Sequence, residues 1–241
     1  MKWFRHRRNR PALDERALAD TWQLVSLLLD YPDAQLLERL PLFESVAATL
    51  PTPQRDLLTA YLTTVQTTPL GELQADYVDT FDVTRKCSLH LTYFTHGDTR
   101  RRGVALVEFR QAFRNCGVEL DIDHELPDHL CVLLEFGASH NSEVAWSLLN
   151  RHRVGIELLR LALTDRDSPW LPVVEALRST LPTLDGDDQV ALAKLIADGP
   201  PSEEVGLDTA PYAIDPRLNP RPEPLDTSEF LGSVIPVGGP R

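Results

Sequence analysis

Leu18-Ala-Asp-Thr-Trp22-Gln-Leu-Val25-Ser-Leu-Leu28-Leu29-Asp-Tyr31-Pro32 repeats its large apolar side chains every three or four residues. That spacing brings them to one face of an α-helix. Tyr31-Pro32 supplies the stop, because a residue before proline is pushed out of the helical region. The same period recurs downstream. Leu36, Leu37, Leu40, Phe43, Val46 and Leu50 form a second stripe, in which Pro41 predicts a break or kink. Leu57, Leu58, Tyr61, Leu62 and Val65 form a third, and Leu70, Leu73, Tyr77 and Phe81 a fourth.

Between Val83 and Gly97 the helical period lapses. Leu89, Leu91 and Tyr93 alternate as in a strand, but no second strand is legible to pair with them, so a long internal loop is expected. Asp98 then fits the N-cap of a helix through Cys116 with Ala105, Phe109, Ala112 and Phe113 inward, and Gly117 fits its C-terminal stop. Pro127 is expected in the first turn of the next helix, where a missing N–H costs little, followed by Leu130, Leu133, Leu134 and Gly137. Val144, Leu148, Leu149, Ile156, Leu159 and Leu163 suggest one long helix. Ser168-Pro169 opens another through Trp170, Val173, Val174, Leu177 and Leu181, and a last one spans Asp187 to Ala197.

After Gly199 the chain turns proline-rich and loses all period. Residues 200–241 are expected to be a disordered tail, residues 1–12 a basic flexible start, and residues 13–199 one helical domain. The architecture expected is therefore all-α, a single helical bundle with a long internal loop.

Composition narrows the function. The 24 Lys and Arg against 36 Asp and Glu give a net charge of −12. That argues against nucleic acid, whose phosphates need a clustered basic face, and against an anionic membrane surface. The basic start Met1-Lys-Trp-Phe-Arg-His-Arg-Arg-Asn-Arg10 is followed by Asp14, Glu15, Arg16 and Asp20 rather than an apolar stretch, so neither a signal peptide nor a membrane-spanning run is read. Cys87, Cys116 and Cys131 form no C-x-x-C pair, which fits reduced thiols in a cytoplasmic protein, with Cys116 and Cys131 expected in the core.

Chemistry-bearing clusters are sparse. His124-Glu125-Leu126-Pro127-Asp128-His129 imitates a zinc-binding H-E-x-x-H, but the second histidine comes one residue late and Pro127 interrupts the helix the motif requires. His90, His96, Asp128 and His129 together could serve a metal-dependent hydrolase, which is the alternative reading. Arg100-Arg101-Arg102 reads as a solvated helix face. Asp128 suits a helix N-terminus, where its charge meets the macrodipole. The aromatic and polar loop Tyr93-Phe94-Thr95, flanked by Tyr77, Phe81 and Phe136, has the composition of a peptide groove.

Tyr77-Val-Asp-Thr-Phe-Asp82, Arg85-Lys-Cys-Ser-Leu-His-Leu-Thr-Tyr93, His96-Gly-Asp-Thr-Arg-Arg-Arg-Gly103, Glu125-Leu-Pro-Asp-His-Leu130 and Leu134-Glu-Phe136 resemble the NarJ family. These are the nitrate reductase delta-subunit, or molybdenum cofactor assembly, chaperones, related to the TorD and DmsD types. The resemblance is dense from Tyr77 to Phe136 and looser elsewhere. It implies a TorD-like bundle and a cytoplasmic, non-enzymatic chaperone serving nitrate assimilation. Its partner would be the alpha subunit of respiratory nitrate reductase, bound through that subunit's N-terminal, signal-like peptide. No cofactor would be held stably; the chaperone would assist insertion of molybdopterin guanine dinucleotide into the client. By the same resemblance Pro127, Asp128 and His129 are expected near the peptide groove and Tyr77 and Phe81 match the family's helix before the loop; with Leu91, Tyr93 and Phe136 they are the expected client-binding residues.

Overall fold

Asp14 starts the first helix, α1 (Glu15–Leu28), by accepting a hydrogen bond from the Ala17 amide at 2.8 Å. Its apolar stripe buries Leu18, Trp22, Val25 and Leu28. The Trp22 indole N–H donates to Thr180 Oγ1 at 3.0 Å, and the Ser26 hydroxyl to the Cys131 carbonyl at 3.0 Å. Asp33 caps α2 (Ala34–Thr49) in the same way, and α3 (Gln54–Thr67) and α4 (Leu70–Tyr77) follow. The computed structural model describes residues 13–97, 100–120, 126–184 and 186–198. The expectations for residues 1–12, for the Asp98 cap, for His124 and Glu125, and for residues 200–241 lie outside them.

Past α4 the chain tightens into a π-helical turn, Val78–Val83, then a 3₁₀ turn, Arg85–Cys87, and a single helical turn, α5 (Tyr93–His96). The remaining helices are α6 (Arg100–Asn115), α7 (Leu130–Ser139), α8 (Ser142–Arg151), α9 (Arg153–Asp165), α10 (Leu171–Arg178) and α11 (Gly186–Asp198). Helix α1 packs on α7 and α10; α10 also meets α3 and α9; α2 covers α3. No strand forms among the described residues, so the fold is all-α, and the described residues lie in one compact unit.

Several details depart from the sequence reading. Helix α2 runs unbroken through Pro41, whose ring is exposed and so displaces nothing in the core. The long helix expected from Val144 to Leu163 is divided at His152 into α8 and α9. The division lets α9 settle against the segment before α6: a Cβ on Gly155 would lie 3.2 Å from the Phe94 ring and 3.3 Å from the Leu91 carbonyl. Arg153, at the first turn of α9, is turned inward to the buried Glu157, which also pairs with Arg160 and Arg178 at 3.0 Å each. Pro127 is not in a helical first turn; α7 begins three residues later, at Leu130. The segment expected as a bare loop contains one antiparallel bridge, His90 to His129. Cys87 is the fully buried thiol, whereas Cys116 and Cys131 are half-buried. Gly117 closes α6 with φ +79°, and Val118 N–H returns to the Phe113 carbonyl at 3.1 Å, as the stop signal predicted. At Gly137 an added Cβ would lie 2.6 Å from Ala145 and 2.7 Å from the Trp22 ring, so a side chain there would force α7 away from α1.

Candidate functional site

Residues 89–93 and 126–130 meet in the fold although more than thirty positions separate them. Leu91 N–H donates to the Asp128 carbonyl at 3.1 Å, and Leu130 N–H to the Leu89 carbonyl at 2.9 Å, which makes the bridge. This clasp fixes the Asp128 side chain beneath Thr92. Asp128 Oδ2 accepts from the Thr92 amide at 3.2 Å and from the Thr92 hydroxyl at 2.5 Å. His90 Nδ1 lies 3.3 Å from Oδ1. Arg102 reaches in from the first turn of α6, its Nη2 3.8 Å from Oδ2 and its guanidinium over the Tyr93 ring at 5.8 Å.

Asp128 has no solvent exposure, whereas the His90 side chain is 33% exposed. Burial alone would raise the Asp128 carboxyl. The contacts with His90 and Thr92 and the charge of Arg102 outweigh it and hold the pKa at about 2. Asp128 is therefore an ionised, internally paired carboxylate and not a surface charge at a helix start. The His129 and His90 rings meet edge to face at 5.1 Å. Burial, reinforced by His90 and opposed by Asp128, lowers the His129 pKa to about 4. His152, packed on Phe109 at 5.0 Å, is lowered to about 4 by burial and by Arg151. Both imidazoles are neutral at pH 7.

The other expected residues fall into separate clusters. Tyr77 and Phe81 are buried with Trp170, their ring centroids 4.8 to 5.6 Å apart, and the Tyr77 hydroxyl donates to the Leu29 carbonyl at 3.1 Å. Burial pushes the Tyr77 phenol well above its usual range. Tyr31, edge-on to Tyr77 at 5.5 Å, is 46% exposed and carries this cluster to the surface. Phe136 packs on Phe113 at 4.4 Å. Leu91 and Pro127 are buried at the clasp, as is Tyr93. The clasp thus gathers Leu91, Tyr93, Pro127, Asp128 and His129, and leaves Tyr77, Phe81 and Phe136 in the core with other partners.

Thr92, Arg102, Trp170 and Tyr31 are the participants that sequence reasoning missed. Arg102 was hidden in an arginine run, and Thr92 finds its partner 36 residues away, so no local pattern marks either. The metal-dependent alternative finds no support here. Among the described residues no group of three or more His, Cys, Asp or Glu side chains is placed to hold a metal ion, and the Asp128 carboxylate is already engaged by Thr92 and faced by a cation. No helix among the described residues is long and apolar enough to cross a membrane.

The sequence profile of the nitrate reductase delta subunit family matches residues 45–176, a span that contains the whole clasp. The chain is 36% identical over 159 residues to the nitrate reductase-like protein NarX of Mycobacterium tuberculosis, covering 66% of this chain but only 24% of that protein. The chain thus spans about a quarter of that relative. The nitrate reductase molybdenum cofactor assembly chaperone NarJ of Escherichia coli K12 is 33% identical over 195 residues, which cover 80% of this chain and 79% of that one. The probable chaperone of the same name in Bacillus subtilis is 30% identical, over 67% of this chain and 88% of its own. Among solved structures, a putative redox enzyme maturation protein from Archaeoglobus fulgidus superposes with a TM-score of 0.50 at 22% identity, over 66% of this chain and 91% of that one, a likeness of fold.

Proposed function

This chain belongs to the nitrate reductase delta subunit family, and from that premise we propose that it is an assembly chaperone for respiratory nitrate reductase. In this reading it works by binding and not by catalysis. It holds the N-terminal segment of the apo alpha subunit, keeps that subunit receptive until molybdopterin guanine dinucleotide is inserted, and does so in the cytoplasm. The relatives named as molybdenum cofactor assembly chaperones support the role.

The observation that carries it on the structural side is the buried clasp. A segment rich in polar and aromatic residues is tied down by internal pairing and presents a partly exposed rim beside it. The rim comprises His90, His129 and Leu126, the last 39% exposed. A client segment would lie on this rim and on Tyr31. His129 would form its near wall, backed by Tyr93 and Pro127, which are buried at the clasp. Tyr77, Phe81, Leu91, Asp128 and Phe136 would set the shape from beneath, as positioning residues. Apolar client side chains covered there would contribute roughly 25 cal/mol per Å² buried. The acidic surface overall suits a client leader that carries arginines.

The test is affinity purification of the tagged chain from cells growing on nitrate, with partners identified by mass, beside nitrate reductase from a strain lacking the chain. The expected result is the alpha subunit without cofactor bound to the chaperone, and an enzyme deficient in molybdenum in the deletion strain. Absence of the alpha subunit, together with a fully loaded enzyme in the deletion strain, would overturn the proposal.

A further inference from the structure

Helix α6 runs against the charge of the chain. In a protein of net charge −12 it carries five arginines and one carboxylate, Glu108. Elsewhere Arg16, Arg160, Arg166 and Arg178 are paired with Asp20, Glu157, Asp79 and Glu175. On α6, Glu108 is already taken by Arg151 of α8, while exposed Arg100, Arg101 and Arg114 have no carboxylate partner among the described residues. Arg100, Val104, Val107, Gln111 and Arg114 recur at helical spacing and so share one side of α6. Val104 is 72% and Val107 57% exposed. The stripe continues into a shallow groove of about 370 Å³ between α6 and α8. Ala112, Cys116, Val144 and Leu148 line it, together with the Glu108–Arg151 ion pair that joins the two helices.

We propose that this α6–α8 face docks an amphipathic helical segment of a partner protein whose apolar positions are flanked by carboxylates. Three features select that chemistry. The apolar centre, Val104 and Val107 leading into the groove, fits the helix-in-groove mode of recognition. Arg100 and Arg101 at one end of the stripe and Arg114 at the other have no carboxylate partner among the described residues, so a partner bearing acids at its ends is attracted and one bearing arginines is repelled. From Arg100 to Arg114 the stripe is roughly 21 Å long at about 1.5 Å per residue, the length of a four-turn helix. The arginine-bearing client leader is the wrong charge for this face. This face is lined by residues other than those of the clasp, to which α6 contributes Arg102. It does not depend on the function proposed above.

Two synthetic 15-residue helical peptides serve as probes, with the same leucine stripe and either glutamates or arginines at both ends. Binding to the full chain is read by fluorescence anisotropy. The glutamate-ended peptide should bind at least about tenfold more tightly, and raising salt should narrow that difference. R100E/R114E should invert the preference. V104D/V107D should weaken both peptides by about tenfold or more. All four positions are exposed, so thermal unfolding should not change, and circular dichroism checks this. Equal affinity for the two peptides, or a preference that survives the charge reversal, would overturn the proposal. So would association with phosphatidylserine vesicles that R100E/R114E abolishes and the glutamate-ended peptide does not compete away, since the face would then serve a membrane.

Discussion

Replacing Asp128 with asparagine separates two roles that the same residue could have. A carboxylate at a helix start contributes about 0.3–1 kcal/mol through the macrodipole. A buried carboxylate paired as Asp128 is contributes more. Its pKa is held at about 2, against 3.8 for an ordinary aspartate. At about 1.4 kcal/mol per unit, that difference is worth about 2–3 kcal/mol of stability at neutral pH. The sign follows from which state binds the proton. The folded pKa is depressed, so the contribution is complete above about pH 4 and is lost as pH falls toward 2. Asparagine keeps an acceptor for Thr92 but removes the charge facing His90 and Arg102. Urea unfolding of both proteins at pH 7, 5 and 4 should therefore show a nearly constant gap of about 2–3 kcal/mol, closing only in stronger acid. Binding of an arginine-bearing client peptide should keep its salt slope in the variant, because Asp128 never reaches the surface. A gap below about 1 kcal/mol would show that the carboxylate is not held by its neighbours. A salt slope abolished by the substitution would show that the client reaches it directly.

Two neutral histidines should make the protein acid-labile well before Asp128 titrates. His129 and His152 are both lowered to about 4 from 6.5, so the unfolded chain takes up protons first as pH falls from 6.5 to 4. Each then removes about 3 kcal/mol or somewhat less over that window, and H129Q/H152Q should flatten the pH profile of urea midpoints between 6.5 and 4. A double variant with the same acid slope as the parent would refute the burial argument. Tyr77→Ala should lower stability by about 3–5 kcal/mol through the cavity left beside Trp170 and Phe81, whereas Tyr77→Phe should cost only about 1 kcal/mol for the bond to the Leu29 carbonyl. Client-peptide calorimetry on Tyr77→Phe should be unchanged if Tyr77 acts only by shaping the site, and a large loss of affinity with stability intact would place its hydroxyl in contact with the client.

How much of this was legible beforehand follows from the range of the forces involved. Helix existence is a local matter. The spacing of Leu18, Trp22, Val25 and Leu28, the capping by Asp14 and the stop at Gly117 depend on residues within a turn or two. The all-α class and the bundle were accordingly open to reading from the sequence, as were the motifs that mark the delta subunit family. Helix interruptions were less so. Pro41 breaks nothing because its ring faces water, and His152 divides a continuous apolar stripe because α9 must turn to meet Phe94 and Leu91. Both outcomes depend on what lies across the core.

The candidate site shows the same division more sharply. Its residue types and order stood in the sequence, but not their pairing. Whether Asp128 is a surface acid or a buried hub, whether Arg102 belongs to a solvated run or to that hub, and whether Tyr77 lines a groove or fills the core all turn on contacts between segments tens of residues apart. Charge and exposure are set by those long-range neighbours, because desolvation and Coulomb attraction act through space and not along the chain. The sequence by itself determined the helices and the family they belong to; the tertiary structure alone decided which polar side chains were taken out of water and which, on α6, were left facing it.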